Sequence, residues 1–142
     1  MEPNWTVAFY ETARGEVPAR DFLISCPTPV RATLVKIVAT VVAAPPPTFA
    51  ASHLWHAMHG SMKGLHEARD RHGDRLYRLF CVVDAKAILY GHDRRLVTLI
   101  DGESKQVRSE MPERVYRRVR GHRDDYLHHR RSAPVPPSDK EH

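Results

Sequence analysis

Residues 64–84 read GLHEARDRHGDRLYRLFCVVD, in which two strand-like runs flank a turn. The runs cover 64–70 and 75–84, and Arg71-His72-Gly73-Asp74 joins them. Glycine and aspartate are favoured in tight turns between paired strands, because they adopt the required backbone angles at low cost. The stretch therefore predicts an antiparallel β-hairpin.

Periodic patterns on both sides of this hairpin predict the remaining elements. Trp5, Val7 and Phe9 alternate with other residues, which is typical of a half-buried strand. Thr28 followed by Pro29 is a helix-start signal, since threonine can cap the first amides and proline at the first position loses no hydrogen bond. The patterns predict strands over 4–10 and 96–101, and helices over 17–26, over 28–43 and from Pro112 onward.

The order of strand, two helices, a run of strands and a helix is typical of an α+β domain. It predicts a small antiparallel β-sheet with two N-terminal helices and a C-terminal helix, and it places the helices on one face of the sheet. We expect one domain over residues 1–131. Residues 132–142 contain several prolines and are predicted to form a disordered tail.

The composition is that of a soluble globular protein, with 142 residues of which 42% are hydrophobic and 27% charged. The longest apolar run, 37–47, is shorter than the roughly 20 residues of a membrane-spanning helix. Cys26 and Cys81 each lie in an apolar run, which favours two buried thiols in a reducing compartment over a disulfide. We therefore expect a cytoplasmic protein with no membrane association.

Positive charge is concentrated in the last third of the chain. The formal net charge is +5, and residues 104–131 alone carry nine basic and four acidic side chains. Clustered lysine and arginine attract polyanions, because neutralising phosphates releases condensed counterions. This segment predicts a nucleic-acid partner, although a solvated helix face could carry the same charge.

Charged residues of the hairpin and the following strand form a second cationic group. Strand alternation places Glu67 and Arg69 on one face, Arg78 lies on the next strand, and Lys105 and Arg108 follow the third strand. If the register aligns them, these cations form a phosphate-binding cluster. The alternative is a structural ion pair between Glu67 and one of the arginines across the strands.

A metal site is a less favoured hypothesis for residues 53–59. His53, His56 and His59 recur at a spacing of three, and neutral imidazole is a common metal ligand. Neither a nearby cysteine nor a well-placed carboxylate completes the set, so we predict no metal.

Four motifs, in order, resemble the HigB-like, phage-derived branch of the RelE/ParE toxin superfamily. They are Trp5-x-Val-x-Phe-Tyr, Gly64-Leu65-His66-Glu67-Ala68-Arg69, Tyr77-Arg78, and Leu99-Ile100-Asp101-Gly102-Glu103-Ser104-Lys105-Gln106 before Pro112. Together they extend over residues 4–131. The resemblance implies a RelE-like fold and the toxin of a type II toxin–antitoxin pair, with a helix-turn-helix antitoxin as partner.

The resemblance also implies a reaction. RelE and HigB toxins cut mRNA on the ribosome, where the 2′-hydroxyl of the target nucleotide attacks the adjacent phosphate, and no metal or cofactor is required. By this analogy Arg69, Arg78 and Lys105 stabilise the phosphate charge, and Glu67, His66 or Tyr126 transfers protons. The residues expected to bind substrate are His66, Arg108, Arg117, Arg118 and Tyr126.

Three positions differ from the family pattern. Asp101 replaces a histidine, Glu103 an aromatic residue, and Gln106 the second lysine of a Lys-Lys pair. Two alternatives follow from the resemblance and these differences. One is a ParE-like protein that binds and inhibits DNA gyrase, and the other is a catalytically degenerate relative that only binds nucleic acid.

Overall fold

The computed structural model of the chain describes residues 5–44 and 54–134, which contain six strands and three α-helices. It confirms an α+β protein with a mostly antiparallel sheet. In chain order the elements are β1 (Trp5–Tyr10), α1 (Pro18–Ser25), α2 (Thr28–Ala43), β2 (Trp55–Ala57), β3 (His66–His72), β4 (Arg75–Asp84), β5 (Arg95–Gln106), α3 (Glu113–His129) and β6 (Ser132–Pro134).

The six strands form one sheet in the order β2-β3-β4-β5-β1-β6. Strands β1 and β5 run parallel, and the other neighbouring pairs of described strands are antiparallel. The predicted hairpin is present as β3 and β4, with Gly73 at a φ of 63° in the turn. Its register places Arg69 directly opposite Arg78, which the sequence pattern left open.

Helices cover both faces of the sheet, so the prediction that they share one face is wrong. Side chains such as Leu79 and Val97 pack with α1 and α2, whereas Phe80 and Ile100 pack with α3 on the other side. The physical reason lies in strands β4 and β5, whose centres are buried, nearly continuous apolar runs that Thr98 alone interrupts. A strand that is buried on both faces has this pattern, and a strand with one solvated face alternates.

A β-bulge in β5 turns two successive residues toward α3. Phe80 pairs with Asp101 and Cys81 with Leu99, so Ile100 is the extra residue in the register. Ile100 packs in the core beneath α3, and the carboxylate of Asp101 reaches His122 on that helix. The bulge therefore brings a charged side chain under α3 beside an apolar one.

The end of the described chain differs from the predicted disordered tail. Ser132–Pro134 form strand β6, which pairs with β1, and the remainder of the predicted tail, residues 135–142, lies outside the described residues. Composition favoured disorder here, but the free edge of β1 supplies backbone partners. Pro134 is tolerated because an edge strand can do without one amide donor.

Both cysteines are buried and free, as predicted. Burial raises the pKa of the Cys26 thiol to about 11, which keeps it protonated and unreactive at neutral pH. None of the helices in residues 5–44 and 54–134 is sufficiently long and apolar to cross a membrane.

Replacement of two glycines by alanine is expected to change the free energy of unfolding in opposite directions. A Cβ atom at Gly102 would lie 2.1 Å from Cδ2 of Phe22, so Gly102→Ala should lower the free energy of unfolding by about 1–3 kcal/mol. A Cβ atom at Gly121 in α3 meets no described atom within 4 Å, so Gly121→Ala should raise it by about 0.5–1 kcal/mol. Urea unfolding of both variants tests the pair, and a stable Gly102→Ala protein would contradict the close packing of Phe22.

Candidate functional site

The candidate site lies on the face of the sheet that α3 covers, at the end formed by β2, β3 and β4. Glu67 of β3 is the centre of the site. It pairs with His56 on β2 and with Phe80 on β4, so all three side chains emerge on the same face. Arg69 and Arg78 form the next cross-strand pair on this face.

The Glu67 carboxylate contacts both neighbouring strands. Its Oε1 lies 2.8 Å from Nε2 of His56, and its Oε2 lies 3.7 Å from Nη1 of Arg78. The same Nη1 donates a hydrogen bond to the Tyr116 hydroxyl of α3 at 3.0 Å, and the Tyr116 ring packs edge-on against Phe80. Helix α3 thus holds the arginine beside the carboxylate.

Burial makes this cluster unusual. Glu67 is only 3% exposed, and both its Oε2 atom and Nε of Arg78 are buried without a hydrogen-bond partner among the described residues. An unpartnered buried polar group costs about 1–3 kcal/mol, and more when it is charged. Such groups are rare in folded proteins, and a catalytic or binding role is one of the usual reasons for their presence.

The two arginines concentrate positive charge at the site. Arg69 and Arg78 lie directly opposite each other across β3 and β4, a placement that is unfavourable for two like charges. Glu67 offsets part of this charge, and Glu103 lies opposite Arg78 on β5. Planar guanidinium groups bind phosphate oxygens through two parallel hydrogen bonds, so this arrangement suits a phosphate group.

The structure does not bring Lys105 into this cluster. Its Nζ donates to the carbonyl oxygens of Gln106, Val107 and Ser109, and the last of these bonds is 2.7 Å long. Three donors of the ammonium group are therefore used to close the turn after β5.

Arg118 is held by acidic side chains rather than directed at a ligand. Its Nε lies 3.0 Å from Asp101 Oδ2, and its Nη1 lies 3.1 Å from Glu103 Oε1. Burial alone would raise the pKa of Asp101, but hydrogen bonds from His122 and Arg118 outweigh it and lower that pKa below its usual range. Two of the positions that differ from the family pattern, Asp101 and Glu103, thus anchor α3 to the sheet.

His66 and Tyr126 lie away from the cluster as well. His66 is on the opposite face of β3, stacked on Trp55, and burial lowers the pKa of its imidazole. Tyr126 is fully buried, where its hydroxyl donates to Asp84 and accepts from Thr98. Burial raises the pKa of Tyr126, so the phenol remains protonated at neutral pH.

The other predicted contacts lie on the surface or in part outside the described residues. Arg108 and Arg117 are exposed, and neither side chain lies in the Glu67 cluster. Of the three histidines of the metal hypothesis, His53 lies outside the described residues. Among the residues that the structure describes, no group of three or more histidine, cysteine, aspartate or glutamate side chains could hold a metal ion.

Two residues of the site were not predicted as members of it. His56 entered the sequence argument only as a possible metal ligand, because the three-residue strand β2 is too short to detect from periodicity. Tyr116 sits at an intermediate position between buried Val115 and exposed Arg117. Its spacing from the buried residues of α3 gave no signal that the hydroxyl reaches Arg78.

Comparisons with protein-family models, with curated proteins and with solved structures found no match to this chain.

A second polar cluster, at the C-terminal end of α3, predicts a pH dependence of stability. A hydrogen bond from Tyr10 lowers the pKa of Asp125 to about 2, and Arg131 and His129 act in the same direction. The folded-state pKa lies below the ordinary value of about 3.9. The stabilisation is therefore complete above about pH 4 and is lost as the pH falls toward 2.

We expect the free energy of unfolding to fall by about 1–2 kcal/mol through this group, since the carboxylate is partly solvated. Urea unfolding at several pH values between 2 and 6 measures the effect. Asp125→Asn should flatten the dependence, and the adjacent, exposed Asp124→Asn should leave it as in the unmodified chain. An unchanged slope in Asp125→Asn would contradict the assignment.

Proposed function

We propose that this chain is a RelE-like toxin of the HigB branch that cleaves mRNA on the ribosome. In this proposal the 2′-hydroxyl of a ribose attacks the adjacent phosphate, and the products are a 2′,3′-cyclic phosphate and a 5′-hydroxyl. A helix-turn-helix antitoxin is the expected partner.

The observation that carries the proposal is the buried Glu67 carboxylate between His56 and Arg78. Phosphate cleavage by an internal hydroxyl needs a group that accepts a proton and cations that stabilise the developing charge. The Glu67–His56 pair supplies the first, and Arg69 and Arg78, which are cross-strand partners on β3 and β4, supply the second. The unpartnered polar atoms at the centre of the cluster support a site that is completed by a ligand.

One observation favours the catalytically degenerate alternative. Lys105 and Arg118, which the resemblance assigned to the RNA, are engaged by carbonyl groups and acidic side chains. A protein that lacks these contacts has fewer cations for its substrate. Of the predicted catalytic residues, Glu67, Arg69 and Arg78 lie on the same face of β3 and β4, and their placement favours cleavage.

Induction of the chain without an antitoxin tests the proposal, with growth followed over time and new 5′ ends mapped in cellular mRNA. We expect growth arrest together with cleavages inside translated reading frames, and these cleavages should vanish when initiation of translation is blocked. Growth arrest with intact mRNA would favour the gyrase-binding alternative. Normal growth would favour the degenerate relative.

A further inference from the structure

Glu67 is poorly placed to touch a substrate. Its side chain is 4% exposed, whereas the side chain of His56 beside it is 40% exposed. His56 lies on β2, the edge strand of the sheet, and no other strand in residues 5–44 and 54–134 pairs with its outer side. A ligand that approaches the cluster from solvent therefore meets the imidazole before it meets the carboxylate.

The hydrogen bond to Glu67 fixes which imidazole nitrogen is available. Nε2 lies 2.8 Å from Glu67 Oε1, and a carboxylate accepts, so Nε2 carries the hydrogen. A neutral imidazole that donates from Nε2 has its lone pair on Nδ1. Nδ1 has no hydrogen-bond partner among the described residues, and it is therefore able to accept a proton.

We propose that His56 is the catalytic base of the cleavage and that Glu67 is a positioning residue, which orients the imidazole and offsets the charge it gains. The inference rests on the proposed ribonuclease function and assigns one residue role within it. The same division of roles holds in other histidine–carboxylate pairs, in which the carboxylate fixes the tautomer and stabilises the imidazolium. It differs from the sequence-based expectation, which assigned proton transfer to Glu67, His66 or Tyr126.

The proposed step moves one proton, forms one phosphorus–oxygen bond and breaks another. The 2′-hydroxyl transfers its proton to Nδ1 of His56, and its oxygen forms a bond to phosphorus. The bond between phosphorus and the 5′-oxygen breaks, and the electron pair stays on that oxygen. A solvent water protonates the departing oxygen, and the resulting hydroxide takes the proton back from the imidazolium. Arg69 and Arg78 stabilise the negative charge that collects on the phosphate oxygens.

The test compares the cleavage rate of a defined mRNA on translating ribosomes for the full chain and four variants. His56→Gln and His56→Ala should each lower the rate by about 10²–10⁴-fold, which is the usual contribution of a general base. Added imidazole should restore part of the rate to His56→Ala. It should not restore Glu67→Gln, which retains the histidine. The matched control is His59→Gln, an exposed histidine that follows the same strand and should keep the full rate.

The outcomes distinguish the proposed ribonuclease function from the proposed role of His56. If the unmodified chain does not cut the mRNA, the proposed function fails and the role of His56 fails with it. If the chain cuts and His56→Gln keeps at least half of the rate, the function stands and His56 is not the base. A folded His56→Ala protein that is inactive and is not rescued by imidazole would also overturn the proposal, because the loss would then reflect positioning. Circular dichroism of each variant shows that it is folded.

Discussion

Arg78→Ala is expected to lower the rate of mRNA cleavage by about 10²–10³-fold, which is the usual loss when one donor to a developing negative charge is removed. The arginine is the link between the carboxylate and α3, since its Nη1 reaches both Glu67 and Tyr116. The purified chain, translating ribosomes and a labelled mRNA give the rate directly. In cells, the same variant should relieve growth arrest.

Arg75→Ala is the matched control for this measurement. Arg75 lies three residues earlier on the same strand, so it faces the other side of the sheet, where it donates to Ser104. Its loss removes an equal charge without touching the Glu67 cluster, and we expect the rate to change less than threefold. Arg78→Lys should recover only part of the activity, because an ammonium group lacks the planar fork. Full activity of Arg78→Ala would exclude the arginine from the reaction.

Asp84→Ala should lower the free energy of unfolding by about 3–5 kcal/mol, which is the usual cost of breaking a buried ion pair. Asp84 and Arg130 have side chains that are 3% and 7% exposed, and Arg130 donates two hydrogen bonds to the carboxylate. Tyr126 donates a third from α3. Truncation of the aspartate leaves a buried guanidinium without its acidic partner, and that desolvated charge accounts for most of the loss.

Two further variants separate this explanation from simple loss of packing. Asp93→Ala removes an exposed aspartate in the loop before β5 and should change stability by less than about 0.5 kcal/mol. Asp84→Leu combined with Arg130→Met replaces the pair by apolar side chains and should recover much of the stability. A double variant as unstable as Asp84→Ala alone would show that the charge is not the cause.

Periodicity predicted the local elements well but could not predict how they assemble. The helix predicted over 28–43 coincides with α2, because Val30, Leu34 and Val41 mark its buried face. Strand β5 extends five residues beyond the predicted 96–101, since its last part is polar and is held by pairing with β4. The parallel pairing of β1 with β5 depends on contacts between distant residues, which no local pattern encodes.

The candidate site was predicted only in part, for a similar reason. Strand alternation correctly placed Glu67 and Arg69 on one face, and the register then brought Arg78 opposite Arg69. Lys105 lies on the same strand pair, but three carbonyl groups of the following turn engage it. A sequence motif identifies residue types and their spacing. Which hydrogen-bond partner each polar side chain binds depends on where the folded backbone places the available acceptors.

The position of β1 inside the sheet has a consequence for synthesis of the chain. Its partners are residues 95–99 of β5 and 132–134 of β6. About 90 further residues are therefore synthesised after β1 before its first partner strand is available. At roughly 5–20 residues per second this delay is about 5–18 seconds. During that time the apolar strand offers an open edge to chaperones and to other nascent chains. The β3–β4 hairpin can form earlier, but Tyr116, which accepts a hydrogen bond from Arg78, is synthesised after β5. The contact between Arg78 and Tyr116 is therefore complete only late in translation, after most of the sheet has been synthesised.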